Sequence, residues 1–258
     1  KQESEISRNV RAVGVIPARY GASRFPGKLL ADLNGMTVIE WVYRGARTAS
    51  LLDAVYVATD DQKIARTVEE FGGQVIMTSS HPRSGTERIA EVCRNDRIPE
   101  SASIIVNIQW DEPMVRGELI DPVIRALEKE PDITAATLMI KTESIKEIAD
   151  PEVVKVVVDN NGYALYFSRS PIPFQRQRKN RSRRQAYKHI GLYGFRRSFL
   201  PIFIELPPGR AELSENLEQL RILENGYQIK VLETEIETVG IDTPEDLETA
   251  RRRLGSNR

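Results

Sequence analysis

The stretch 104–113, Ile-Ile-Val-Asn-Ile-Gln-Trp-Asp-Glu-Pro, runs from β-branched residues into an amide, an indole and two carboxylates, Asp111 and Glu112. Carboxylates at the end of a strand can hold Mg2+, which takes a few hard oxygen ligands and completes its shell with water and phosphate. They fit equally a turn with solvated acids ahead of Pro113. Asp242, in Val-Gly-Ile-Asp-Thr-Pro-Glu-Asp-Leu, is another acid at a strand end and a second candidate ligand. A helix N-cap competes for it, because Thr243 and Pro244 also suit a helix start. The bases lie in the segment 13–30, where Arg19, Arg24 and Lys28 surround Gly21 and Gly27. Glycines let backbone N–H groups approach an anion, and three cations can neutralise a triphosphate. This is not a Walker A loop: five residues, not four, separate the two glycines, and Lys28 is followed by Leu29 rather than Ser or Thr.

These groups need strands to end beside one another, and the hydrophobic pattern supplies them. Strands are expected at 10–17, 54–58, 74–77, 104–108 and 133–140, with helices at 37–49, 64–71, 86–93 and 119–127. Short apolar strands alternating with helices of about three turns predict an α/β fold with a doubly wound, mostly parallel sheet. Ligands bind such sheets outside the carboxyl ends of the strands. After Asp150 the pattern changes. Residues 153–158 and 163–167 flank Asp-Asn-Asn-Gly and read as a hairpin, and 188–195 as another strand. Residues of about 150–200 thus form an antiparallel β insertion lying over the sheet, within one domain spanning 1–258. Helices are expected at 213–223 and 244–254, the latter with Thr243 and Asp246 spaced as a capping box.

The chain has 258 residues, with 37 Lys+Arg against 37 Asp+Glu, so its overall charge argues neither for nucleic acid nor for a membrane surface. No apolar run approaches the ~20 residues of a spanning helix. The opening Lys-Gln-Glu-Ser-Glu-Ile-Ser-Arg-Asn has no apolar core, so no signal peptide is expected and the compartment is read as cytoplasmic. Cys93 continues the stripe of Ile89 and Val92 and reads as a small buried hydrophobe. Residues 160–204 carry ten cations and no acid, seven of the cations within 176–188. A solvated loop and a phosphate-facing or partner-binding loop both fit. RNA binding is weak, with only Phe174 and Tyr187 as flanking aromatics. His81 and His189 have no zinc spacing.

Taken together, "IPARYGASRFPGK", "VATDD", "SGTERIAEV", "VKVVVDNNGYALYFSR", "HIGLYGF", "LEQLRIL" and "GIDTPEDL" stand in the order found in the 3-deoxy-manno-octulosonate (Kdo) cytidylyltransferases. The chain resembles that family from about Val10 to Leu254. The resemblance implies a nucleotide-diphospho-sugar transferase-like domain with a dimerising β insertion, and a homodimer. It implies CTP + Kdo → CMP-Kdo + pyrophosphate with Mg2+, feeding lipopolysaccharide or capsule synthesis. By motif, Arg19, Ser23, Arg24 and Lys28 would cradle the CTP phosphates with Ala18 near the base, and Thr78, Ser84 and Gly85 would read the cytosine. Gln109, Arg169, His189, Tyr193, Glu215 and Gln219 would hold the sugar acid. Asp111 and Asp242 would bind magnesium, and Lys28, Arg19 and Asp111 would carry catalysis. No side chain stands out as a general base.

The chain departs from the family pattern Gln-Gly-Asp-Glu-Pro at Trp110. A glycine there implies close backbone approach to a ligand, or a φ open only to glycine. An indole would fill part of the pocket or strain the backbone. It reads as an introduced change, as a variant with altered substrate, or as an indole turned outward. Two alternatives follow: a cytidylyltransferase for a related acid sugar (8-amino-Kdo or a sialic-acid-like sugar), or a CTP-binding protein whose chemistry Trp110 impairs.

Overall fold

A computed structural model describes residues 11–20, 27–95, 97–174, 176 and 185–255. Strand β1 (Arg11–Ala18) is followed by a 3-10 turn at Lys28–Leu30 and a small ribbon, β2 (Asp32–Leu33) and β3 (Met36–Thr37). Then come α1 (Val38–Ala46), β4 (Leu52–Thr59), α2 (Gln62–Glu70), β5 (Gln74–Met77), α3 (Gly85–Arg94), β6 (Ala102–Asn107), α4 (Gly117–Lys129) and β7 (Ala135–Thr142). The second half holds α5 (Ile145–Ala149), β8 (Lys155–Val158), β9 (Ala164–Ser168), β10 (Ala186–Arg196), α6 (Phe199–Glu205), α7 (Arg210–Glu215), α8 (Leu220–Glu224), β11 (Ile229–Thr234) and α9 (Pro244–Gly255).

Local chemistry sets the helix starts. The side chains of Thr37, Asp61 and Ser84 accept backbone N–H groups of the first turns of α1, α2 and α3, satisfying donors the helices cannot. Apolar stripes then decide the packing. Ile39, Val42, Leu119, Val123 and Leu127 cover one face of the sheet, while Ile89, Val92, Phe199, Phe203, Leu220 and Ile222 cover the other. Burying each such side chain stabilises the fold by about 1.5–3 kcal/mol.

The sheet runs β11-β7-β10-β6-β1-β4-β5. Every strand of that series is parallel to the others except β10, which is antiparallel to both β6 and β7. The antiparallel insertion is therefore present but is partly woven into the sheet, whereas the sequence placed it on top. The first residues of β10 also pair with β8, and β8 with β9, so the hairpin extends one corner. The β10–β7 register shifts between Ile190 and Tyr193. There the buried Thr137 hydroxyl sits 3.1 Å from the Ile190 carbonyl and 2.8 Å from that of Leu192, so its one proton is shared between two acceptors of the bulge.

Helix 213–223 of the sequence reading is two helices. Asn216 has φ 53° and caps α7 in the left-handed region, which an asparagine tolerates better than most residues. The link it creates holds Leu217, Glu218 and Gln219 before α8 begins.

Candidate functional site

The carboxyl ends of β1, β4, β5 and β6 meet at one edge, as parallel register requires. Lys28, just after the left-handed Gly27 (φ 74°), turns its buried side chain into this edge. Its ammonium donates to the Ile241 carbonyl at 2.5 Å and to Asp242 Oδ1 at 2.9 Å, and lies 3.5 Å from Asp111 Oδ2. The Asp111 carbonyl receives the Ile241 N–H at 2.9 Å, tying the two acidic segments together. Asp242 does not cap α9. Thr243 does, with its hydroxyl and the Asp246 carboxylate exchanging the first-turn donors, which leaves the Asp242 carboxylate to Lys28. Burial raises the Asp111 carboxyl although the Lys28 charge opposes it. Burial and then the Asp111 charge push Glu112 up to about 8.

Trp110 lies with its ring centroid 4.5 Å from the Lys28 ammonium and is packed against the core. The indole is therefore not turned outward. Nor is its backbone strained toward glycine's region: among the described non-glycine residues only Asn34 and Asn216 have positive φ.

On the other side of Gln109 is a cavity of about 240 Å3, lined among others by Asn107, Gln109, His189, Tyr193, Glu218 and Gln219. Asn107 and Tyr193 are cross-strand neighbours on β6 and β10. The Asn107 Oδ1 and the Tyr193 hydroxyl are buried with no hydrogen-bond partner among the described residues. Thr137 lies near Tyr193, but its hydroxyl is engaged by the bulge carbonyls. Unpartnered buried polar atoms cost about 1–3 kcal/mol each, and these two belong to residues that line the cavity. His189 Nε2 is 3.0 Å from Thr137 Oγ1, and burial pushes its pKa down to about 3, so the ring is neutral.

The nucleotide-reading candidates lie around the start of α3. The Arg88 guanidinium, buried, binds the Thr78 hydroxyl, donates to the Ser79 carbonyl at 3.2 Å and pairs with Asp60 at 3.3 Å. Ser84 and Thr86 donate to the two oxygens of Glu218 at 2.6 and 2.8 Å. A Cβ on Gly85 would stand 3.0 Å from the Pro17 ring, so glycine lets α3 approach β1 closely. Ala18 is buried at the end of β1, and Arg19 after it is exposed. Ser23 and Arg24 lie outside the described residues, as does most of the basic loop 176–188.

Arg169 and Glu215 do not line the cavity. They bind each other's segment: Glu215 accepts Ser168 Oγ at 2.6 Å and the Arg169 N–H at 2.9 Å, while Arg169 Nε donates to the Glu215 carbonyl at 2.8 Å. Beneath them Lys155, fully buried, donates to the carbonyls of Asp150, Val153 and Arg169 at 2.8, 2.5 and 2.6 Å. Three polar groups escaped the sequence reading. Asn107 and Glu218 stood inside motifs already quoted, beside the residues chosen; Arg88 too stood inside a quoted motif, between Gly85 and Val92.

Among the described residues no three His, Cys, Asp or Glu side chains converge as a metal site. Two hard carboxylates on one ammonium do fit Mg2+, which is commonly held by one or two protein carboxylates plus water and substrate phosphates. No helix among the described residues is long and apolar enough to cross a membrane.

The cytidylyltransferase family model matches residues 13–235. The 3-deoxy-manno-octulosonate cytidylyltransferase of Thermodesulfovibrio yellowstonii is 49% identical over 249 residues, covering 94% of this chain and 97% of that protein. The enzyme of the same name from Trichlorobacter lovleyi is 46% identical over 95% of this chain and 99% of its own. The chain belongs to the 3-deoxy-manno-octulosonate cytidylyltransferase family. The solved structure of CMP:2-keto-3-deoxy-manno-octonic acid synthetase complexed with CTP superposes with a TM-score of 0.89 at 40% identity, covering 96% of this chain and 100% of that one. A putative glucose-1-phosphate thymidylyltransferase from Bacillus anthracis, at 17% identity and a TM-score of 0.66, shares the fold alone.

Proposed function

We propose that this chain transfers CMP from CTP to the anomeric hydroxyl of Kdo. That hydroxyl attacks the α-phosphorus and pyrophosphate leaves. The observation that carries the reading is the adjacency of two unlike sites across Gln109. Lys28 is a cation at the strand edge that can meet a triphosphate once it leaves the acids, and the cavity's amides, phenol, imidazole and Glu218 carboxyl suit the hydroxyls of a sugar acid. Family membership supports the same reactants.

The protein's part is to hold two anions in line and to meet charge developing on the phosphoryl and leaving oxygens with fixed donors. Lys28 and Arg19, with Ser23 and Arg24, are assigned to the triphosphate, and Thr78, Ser84, Gly85 and Ala18 to the nucleoside. Gln109, His189, Tyr193 and Gln219 are assigned to the sugar acid, with Arg169 and Glu215 bracing the neighbouring wall. Asp111 and Asp242 would hold Mg2+. When bound, it supplies Lewis-acid stabilisation of phosphate charge and lowers the pKa of an oxygen near it. His189 is neutral, and no general base is assigned.

The product would feed lipopolysaccharide or capsule assembly from the cytoplasm. A homodimer would cover the hairpin, where β9 pairs, among the described residues, with β8 alone and Leu165 is 62% exposed, and the 82% exposed Phe174 that follows it. Pyrophosphate release with CTP and magnesium, measured in parallel with Kdo, 8-amino-Kdo and a sialic acid, tests the assignment. Kdo should give the highest kcat/KM; preference for either other sugar would overturn it.

A further inference from the structure

Trp110 stands where the motif resemblance implies a glycine, and Lys28, the lysine assigned to phosphate, lies against its indole. The Lys28 side chain is 5% exposed. An ammonium has three N–H donors, and among the described residues three acceptors surround this one: the Ile241 carbonyl at 2.5 Å, Asp242 at 2.9 Å and Asp111 at 3.5 Å. The indole, 4.5 Å from the nitrogen, closes the remaining side. Such a ring attracts a cation electrostatically, the more so when water is excluded. In this arrangement Lys28 has no donor left for a phosphate. It also stands between the two carboxylates that a divalent cation would need, where two positive charges a few ångströms apart repel. The main chain on either side of Trp110 is held through Glu112 N–H to the Gln109 carbonyl at 3.3 Å and Ile241 N–H to the Asp111 carbonyl at 2.9 Å, and the indole packs against the core.

We propose that Trp110 is a positioning residue that parks Lys28 on Asp111 and Asp242, so that cation and triphosphate engage by lifting Lys28 off the indole and therefore favour each other's binding. The proposal rests on the assignment of CTP and a divalent cation to this edge. Linkage of this kind is reciprocal: whatever CTP does to the metal affinity, the metal does to CTP. A glycine in place of Trp110 leaves the lysine without its aromatic floor, and the cation then competes with a looser occupant.

The test is Mn2+ binding without nucleotide, followed by electron paramagnetic resonance, on the parent, Trp110→Gly and Trp110→Phe. Trp110→Gly should bind Mn2+ roughly 3- to 30-fold more tightly than the parent, with Trp110→Phe between them because it keeps a ring. In a Lys28→Met background the same substitutions should leave Mn2+ affinity unchanged, which a purely structural role for the indole would not produce. Equal affinity in parent and both variants, or an undiminished effect in the Lys28→Met background, overturns the proposal. A second readout needs no variant that alters the backbone. The fluorescence of Trp110, taken as parent minus Trp110→Phe, should change when Mg2+ and CTP bind together, and an unchanged spectrum at calorimetric saturation overturns it too. If CTP does not bind at all, the assigned function fails while the Mn2+ measurement still decides the parking of Lys28.

Discussion

The imidazole of His189 sits between the rings of Phe167 and Tyr193, at 5.1 and 5.2 Å between centroids, and burial pushes its pKa down to about 3. An unfolded chain takes up the same proton near 6.5. Between those values the unfolded state binds more protons, so stability falls as the pH falls, by at most about 1.4 kcal/mol per pH unit from this group. His189→Gln keeps a partner for Thr137 and cannot titrate. Urea unfolding near pH 7 and about pH 5 should show the parent losing about 2 kcal/mol more than the variant; equal losses would mean that His189 protonates in the folded protein. Convergence of side chains was legible where charge or a motif marked them, as at Lys28, Asp111 and Asp242, which meet at one edge. They were not legible at Asn107, a neutral amide inside an apolar run whose importance comes from an acceptor left without a partner. That Asp242 does not cap α9 also needed coordinates, because Thr243 one position on has the same capping chemistry.

Among the elements, β10 matters most to the site. Its register shift brings His189 and Tyr193 to the cavity, and Thr137 on β7 holds that shift through the Ile190 and Leu192 carbonyls. Thr137→Val keeps the side-chain shape and removes the hydroxyl. It should cost about 1–3 kcal/mol by leaving buried acceptors unpaired and raise the KM for the sugar acid while that for CTP stays put. Denaturation with steady-state kinetics checks both; an unaltered KM for the sugar would show that the bulge does not set the cavity. The alternation of strand and helix up to 142 was readable because each segment carries its own period. The strand at 229–234 and the helix at 199–205 carry no clear period of their own, and α7 and α8 read as one helix because the break depends on one left-handed Asn216 rather than on a proline or glycine. That β10 runs inside the sheet was not readable, since its pattern is the same whether it pairs with β7 or lies above it.

In the whole molecule, the two faces of the sheet are covered by helices and the open corner is the hairpin. Leu165 on β9 is 62% exposed, and a second copy covering that edge is the proposed homodimer. Leu165→Asp should shift the protein from dimer to monomer in sedimentation velocity; a parent that sediments as a monomer would contradict the assembly and leave the catalytic assignment untouched. The central claim is that CTP is held at Lys28 and the sugar acid across Gln109. The most direct measurement is pyrophosphate release with CTP and Kdo varied in turn, on the parent and on Gln109→Ala. The parent should turn over and form CMP-Kdo in equal amount. Gln109→Ala should need about tenfold more Kdo with the KM for CTP unmoved. No pyrophosphate from a parent that binds CTP, or a Gln109→Ala variant impaired for CTP rather than Kdo, would contradict the account.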